Sequence, residues 1–165
     1  MERMAEIARL AYEEGVRGLS EQKNTLESIR GRAATNIGIV SLAASFLGPA
    51  AIDRPLQSAL GLFLALSATA CFVASVVLSV LVLRSSSGWV FSQSPVQILK
   101  DYNQNNPNLK LDEVYGSLAR FLEESLNGNE ALIVARLRKL NAAFILTTLQ
   151  VIIAVVIIGL GVGSD

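Results

Sequence analysis

Residues 33–52 read AATNIGIVSLAASFLGPAAI, residues 53–55 read DRP, and residues 56–83 read LQSALGLFLALSATACFVASVVLSVLVL. This stretch decides the fold. About 20 apolar residues in a helix rise 1.5 Å each and cross roughly 30 Å of hydrocarbon. The first run, 33–52, is long enough to do so, and the second, 56–83, is longer than a bilayer needs and is expected to tilt or to continue past the interface. Asp53–Arg54–Pro55 forces a tight antiparallel hairpin, with Gly48 and Pro49 loosening the end of the first helix. A third run, 141–163, follows Arg136, Arg138 and Lys139, leaving 164–165 as a short external tail.

The charges lie around these runs rather than within them. Of the 14 Lys and Arg residues, all but Arg54 fall in 1–32 or 84–140. By the positive-inside rule both blocks are cytosolic, the N-terminus lies inside and the C-terminus outside. The expected fold is therefore all-α: an integral membrane protein of the cell (inner) membrane with three transmembrane helices and a cytosolic helical bundle. Its parts are a cytosolic amphipathic helix (1–32), a transmembrane hairpin (33–52 and 56–83), a cytosolic helical segment (84–140) and the third span (141–163). A chain that is 52% hydrophobic, arranged in such runs, does not read as a soluble domain.

Composition removes several function classes. The chain has no His and one Cys, Cys71. That argues against imidazole-based catalysis, most zinc, haem and iron–sulfur sites, and any intrachain disulfide. No P-loop, dinucleotide fingerprint or metal-ligand cluster occurs, so neither an enzyme nor a cofactor is expected. The first block carries six basic and six acidic residues and the second seven and six. Neither is polybasic, which argues against a nucleic-acid polymer as partner. The start of the chain does not read as a signal peptide, because the first apolar run begins only at Ala33.

Along 1–32 and into the first span, Leu19, Leu26, Ile29 and Ala33 form one helical stripe, with Gln22 in the missing place, and Met4, Ile7, Leu10 and Ala11 form another. The stretch 85–109 is Ser-, Asn- and Pro-rich and reads as loop or short helix. Leu111, Val114, Leu118, Phe121 and Leu122 begin an amphipathic helix that is expected to stop near Asn127–Gly128–Asn129. Asn129 is then a plausible N-cap for a last helix leading into the membrane.

The candidate sites are packing faces and one basic group. Gly38, Ser41 and Ser45, flanked by Ala34 and Gly48, share a face of the first span. Ser67, Cys71, Ser75 and Ser79 recur every four residues on the second. Small faces allow close backbone approach in lipid. They either pack against each other in the hairpin, or turn one stripe toward a neighbouring subunit or a narrow polar path. Gln150, with Thr147 and Thr148, brings polarity to the third span and is expected to hydrogen-bond between helices. Asn36 is expected near the inner interface, within reach of water. No charge lies within the three runs, which counts against an ion-coupled carrier. Arg136, Arg138 and Lys139 either anchor the third span at anionic headgroups or, with Arg30 and Arg32, hold a phosphate.

A basic residue and alanine open the first span at Arg32–Ala33. A tight hairpin follows, then a basic exit at Val82–Leu83–Arg84, an aromatic patch at Trp89–Val90–Phe91 and a basic entry at Arg138–Lys139–Leu140–Asn141. From about Leu26 onward this arrangement resembles the membrane effectors of bacterial nucleotide-signalled antiphage defence. The Pycsar transmembrane effector family is the nearest in pattern, with the two-span SLATT-type effectors behind it. Gly31–Arg32–Ala33 departs from the Asp-x-Lys-Ala-like start often found in that family. The resemblance implies a protein that senses a cyclic nucleotide and then impairs the inner membrane; the chain itself is expected to form a homo-oligomer. The residues alone also suit a non-conducting scaffold that binds a partner through 1–32 and 110–140, or a small constitutive channel. The topology has a direct check: Arg54→Cys is expected to react with an impermeant thiol reagent from outside the cell, and Asn105→Cys is not.

Overall fold

The structure, a computed structural model, describes residues 2–52, 59–84, 88–91, 94, 98, 100 and 109–162. The expected turn at Asp53–Arg54–Pro55, most of the loop 85–109 and the tail 164–165 lie outside the described residues. Those described form three long helices and no strand: α1 (Glu2–Ile52), α2 (Ala59–Leu83) and α3 (Leu111–Val162). Two of them, α2 and the stretch Leu111–Gly159 of α3, contain segments long and apolar enough to cross a membrane. Their large side chains point outward: Phe63, Leu66 and Ile145 are each more than 60% exposed. A soluble unit avoids apolar surface on that scale.

Two expected helix boundaries are absent. Segments 1–32 and 33–52 form one helix of 51 residues, and α3 runs for 52 residues through Asn127–Gly128–Asn129. Asn129 is therefore not an N-cap. The reason is the spacing of the buried positions. On α1 these are Gly15, Leu19, Leu26, Ile29, Ala33, Asn36 and Val40, with partly buried Gln22 completing a 4-3 alternation. On α3 they are Asn129, Ile133, Arg136, Leu140, Ala143, Thr147, Gln150, Ala154 and Ile157, again spaced 4-3. Such a seam keeps one helix face turned to its neighbours and favours continuing the helix over capping it. The start of α3 does carry its own signal. The Glu113 carboxylate accepts a hydrogen bond from Lys110 N–H at 3.2 Å, while Lys110 C=O accepts from Glu113 and Val114 N–H. The Glu113 carboxylate thus supplies one half of a capping box, and the Lys110 carbonyl begins the helical bonding.

The chain divides into two compact units, to both of which α1 and α3 contribute. The first comprises Met1–Glu27 and Ser86–Val134. In it α1 and the first half of α3 run parallel, joined by a Tyr12–Tyr115 ring contact at 5.5 Å and by Gln22 Nε2 donating to Leu126 C=O at 2.9 Å. Leu19, Leu26, Leu118, Leu122 and Ile133 form its core. The expected stripe Met4, Ile7, Leu10 and Ala11 is exposed instead. The inward face is the smaller one, Ala5, Ala8, Tyr12 and Gly15, because it lets the two helices approach more closely.

The second unit comprises Ser28–Ser85 and Ala135–Asp165. Here α2 lies antiparallel to α3: Val82 meets Arg136, and Ser75 meets Ala143 and Thr147. Ile29, Ala33, Val40, Val82, Leu140, Ala143, Ala154 and Ile157 are its buried apolar residues. The division places Arg30, Arg32, Arg84, Arg136, Arg138 and Lys139 with the apolar helices. The described residues of this unit thus hold six cations and no Asp or Glu.

Two glycines of the first unit test the packing. A Cβ at Gly15 would lie 2.9 Å from Leu122 Cβ, an atom that cannot swing away, whereas one at Gly128 meets nothing within 4 Å. Gly15→Ala is expected to lose about 1–2 kcal/mol net, with overpacking outweighing its gain in helix propensity. Gly128→Ala is expected to gain up to about 1 kcal/mol. Thermal unfolding in detergent, followed by circular dichroism, should show opposite shifts.

Candidate functional site

The polar residues of the second unit meet in one buried knot. Asn36 on α1 is 1% exposed, and Ser75 and Ser79 on α2 are 0% exposed. Asn36 Nδ2 donates to Ser75 Oγ at 3.1 Å and to Ser79 Oγ at 3.0 Å. Its Oδ1 accepts from Thr147 Oγ1 at 3.1 Å. The Ser75 hydroxyl lies 2.7 Å from Thr147 Oγ1 and 3.0 Å from Ala143 C=O, so it can donate to either. Both amide protons and the amide oxygen of Asn36 are thereby matched across three helices. A buried amide left unmatched costs about 1–3 kcal/mol. Asn36 therefore does not reach water at an interface as expected; it lies inside the helix packing.

The other expected packing residues separate. Ser75 and Ser79 pack inward, while Ser67 and Cys71 are partly buried. The Ser67 hydroxyl donates to Phe63 C=O on its own helix, and the Cys71 thiol is free. Gly38, Ser41 and Ser45 are exposed on α1. Gly38 has nothing within 4 Å of its Cβ position, and Ser45 Oγ donates to Ser41 C=O at 2.9 Å. The two small-residue stripes thus do not face each other, because the seam of α1 runs through Ala33, Asn36 and Val40. Gly48 lies outside the residues whose surroundings are described. Gln150 is 7% exposed, one turn beyond Thr147, and its Oε1 has no hydrogen-bond partner.

A second polar centre lies at the end of α2. The last carbonyls of a helix lack intrahelical donors. Arg136 on α3, 6% exposed, donates from Nη1 to Val82 C=O and from Nη2 to Arg84 C=O, both at 2.9 Å. A guanidinium fork at a helix C-terminus satisfies these carbonyls and places positive charge at the negative end of the helix dipole. Burial, and then the nearby positive charge of Arg30, lower the Arg136 pKa from its ordinary value. That value lies so far above neutrality that the group stays charged. Arg30 is partly buried, and its Nε is enclosed without a hydrogen-bond partner. Arg32, Arg138 and Lys139 are exposed. Of the five basic residues singled out in the sequence, Arg136 is buried, Arg30 is partly buried and near enough for its charge to act on Arg136, and three lie at the surface.

In the first unit, Asn129 fastens the aromatic segment. Its Oδ1 accepts from Val90 N–H at 3.2 Å and its Nδ2 donates to Val90 C=O at 2.8 Å, the two bonds a neighbouring strand would make. Trp89 and Phe91 stack at 5.6 Å, and Gly88 adopts the positive φ of 105° that this approach uses. Beneath Phe91 lies an apolar cavity of about 180 Å³ between Tyr12, Leu19, Ile98, Leu118 and Leu122. Among the described residues no cluster of His, Cys, Asp and Glu could hold a metal ion.

No protein-family model, curated protein or solved structure matches the chain.

Asn36 is the residue of α1 that ties the knot to both α2 and α3. Asn36→Leu is expected to destabilise the second unit by about 1–3 kcal/mol, because Ser79 loses its amide donor while Ser75 and Thr147 each lose one bond and keep Ala143 C=O. Adding Ser75→Ala and Thr147→Val should recover part of that loss. Unfolding midpoints of the single and triple variants in detergent check both expectations.

Proposed function

We propose that the chain is a signal-responsive membrane effector: a three-span protein that assembles with copies of itself and, on a cytosolic signal, impairs the inner membrane. The third span in this reading is the 33–52 part of α1, carried beside α2 and the apolar part of α3. The observation that carries the reading is the placement of polarity in the second unit. Neutral hydrogen-bonding groups, Asn36, Ser75, Ser79, Thr147 and Gln150, are buried among the helices, while large apolar side chains face outward. A bundle with lipid-compatible walls and an uncharged polar interior holds ions back while closed, and it offers hydroxyls and amides to water if the helices part. The exposed small face of α1 at Gly38, Ser41 and Ser45 supports assembly, since lipid-facing small residues permit close approach of another helix. The resemblance to nucleotide-signalled antiphage effectors supports a cyclic nucleotide as the signal and the N-terminus-inside orientation.

A second reading is favoured by a different surface. Met4, Ile7 and Leu10 are 70%, 57% and 55% exposed on one face of α1 in the first unit. That face would suit a protein partner, as in a non-conducting scaffold.

The two readings separate on expression in bacteria loaded with a membrane-potential dye, with and without candidate cyclic nucleotides. The effector is expected to depolarise the cells only with its signal, and Gly38→Leu, which blocks close approach, is expected to weaken the response at least fivefold. Unchanged potential under every signal, with the protein present in the membrane fraction, would exclude the effector and leave the scaffold.

A further inference from the structure

We infer that Arg30 and Arg136 form a seat for one anionic phosphate group at the inner end of α2. Such a seat lies beyond the effector reading and does not depend on it. The Nε–H of Arg30 is enclosed and meets no acceptor among the described residues, with which Arg30 also makes no ion pair. Enclosing a charged donor without an acceptor is costly. The described residues of the second unit hold six cations and no carboxylate. Arg136 stands near enough for the two like charges to oppose each other, and its Nη1 and Nη2 are held in place by Val82 C=O and Arg84 C=O. Repulsion between paired guanidiniums, together with an orphaned donor, is what a bound phosphate relieves. An anion there would neutralise the pair and hold Arg136 against the α2 carbonyls, so occupancy would fix the inner end of α2.

Two sources share this chemistry, the headgroup of an anionic phospholipid and a free phosphate group in the cytosol. The test uses the purified full-length chain in neutral detergent, with binding read by native mass spectrometry and thermal shift. The probes are short-chain phosphatidylglycerol, phosphatidylcholine (whose tethered ammonium competes with the arginines) and inorganic phosphate. Phosphatidylglycerol binding that excess inorganic phosphate does not displace would assign the seat to lipid. Inorganic phosphate that binds and displaces the lipid would assign it to a soluble group. Either result supports the seat if Arg30→Gln weakens binding at least tenfold while Arg138→Gln, at an exposed cation, changes it less than twofold.

Without a probe, Arg30→Gln is expected to melt no lower than the wild type, because it removes a like charge and breaks no protein hydrogen bond. The inference is overturned if neither phosphatidylglycerol nor inorganic phosphate binds. It is overturned as well if Arg138→Gln costs as much as Arg30→Gln, or if Arg30→Gln melts lower on its own.

Discussion

An amide kept inside apolar helices is tolerable only when each of its hydrogen-bonding atoms is met, and Asn36 sets that condition for three helices at once. Its two donors fix Ser75 and Ser79, and its oxygen fixes Thr147. Sliding α2 by one turn would take at least one serine off the amide, and sliding α3 would break the bond from Thr147. Apolar packing between small residues is forgiving of such shifts; the amide is not. The apolar residues around it, Ala33, Val40, Val82 and Ala143, are all fully buried and supply close contact. Register comes from the polar group.

The same condition explains which parts of the structure could be read in the sequence. Leu19, Leu26, Ile29 and Ala33 announced their buried face through hydropathy, and the gap at Gln22 was filled as the spacing required. The continuity of α1 past Arg32 was hidden, because the step from charged to apolar sequence looks like an element boundary. Asn127–Gly128–Asn129 looks like a helix stop by propensity, yet Asn129 belongs to the seam and spends its side chain on Val90. At the start of α1, hydropathy selects Met4, Ile7 and Leu10, the largest side chains. Close helix approach selects Ala5, Ala8 and Gly15 instead, and approach decides. The candidate site was legible as a list of polar residues but not as a set of pairs, since contacts separated by 39 to 111 residues leave no local trace.

The two polar centres of the second unit solve different problems. The knot around Asn36 is neutral and largely self-satisfied, which suits a position among apolar helices. The Arg136 fork is charged and meets the unfilled carbonyls at the end of α2, where a cation is electrostatically welcome. Arg30 is the unmatched member of this end, half enclosed and opposed by a like charge. Among the described residues, Arg30 Nε, Gln22 Oε1 and Gln150 Oε1 are the buried side-chain atoms left with unfilled capacity.

The unbroken 4-3 spacing also constrains how the chain can change length. One residue added to α1 between Ile29 and Asn36 turns everything after it by about 100°. Asn36 would then leave its partners for the apolar exterior, while an exposed neighbour such as Thr35 entered the seam. An addition of seven residues returns the helix to within about 20° of its starting phase. Related chains of different length should therefore differ in this helix by whole heptads, and a family so constrained grows by steps rather than by single residues.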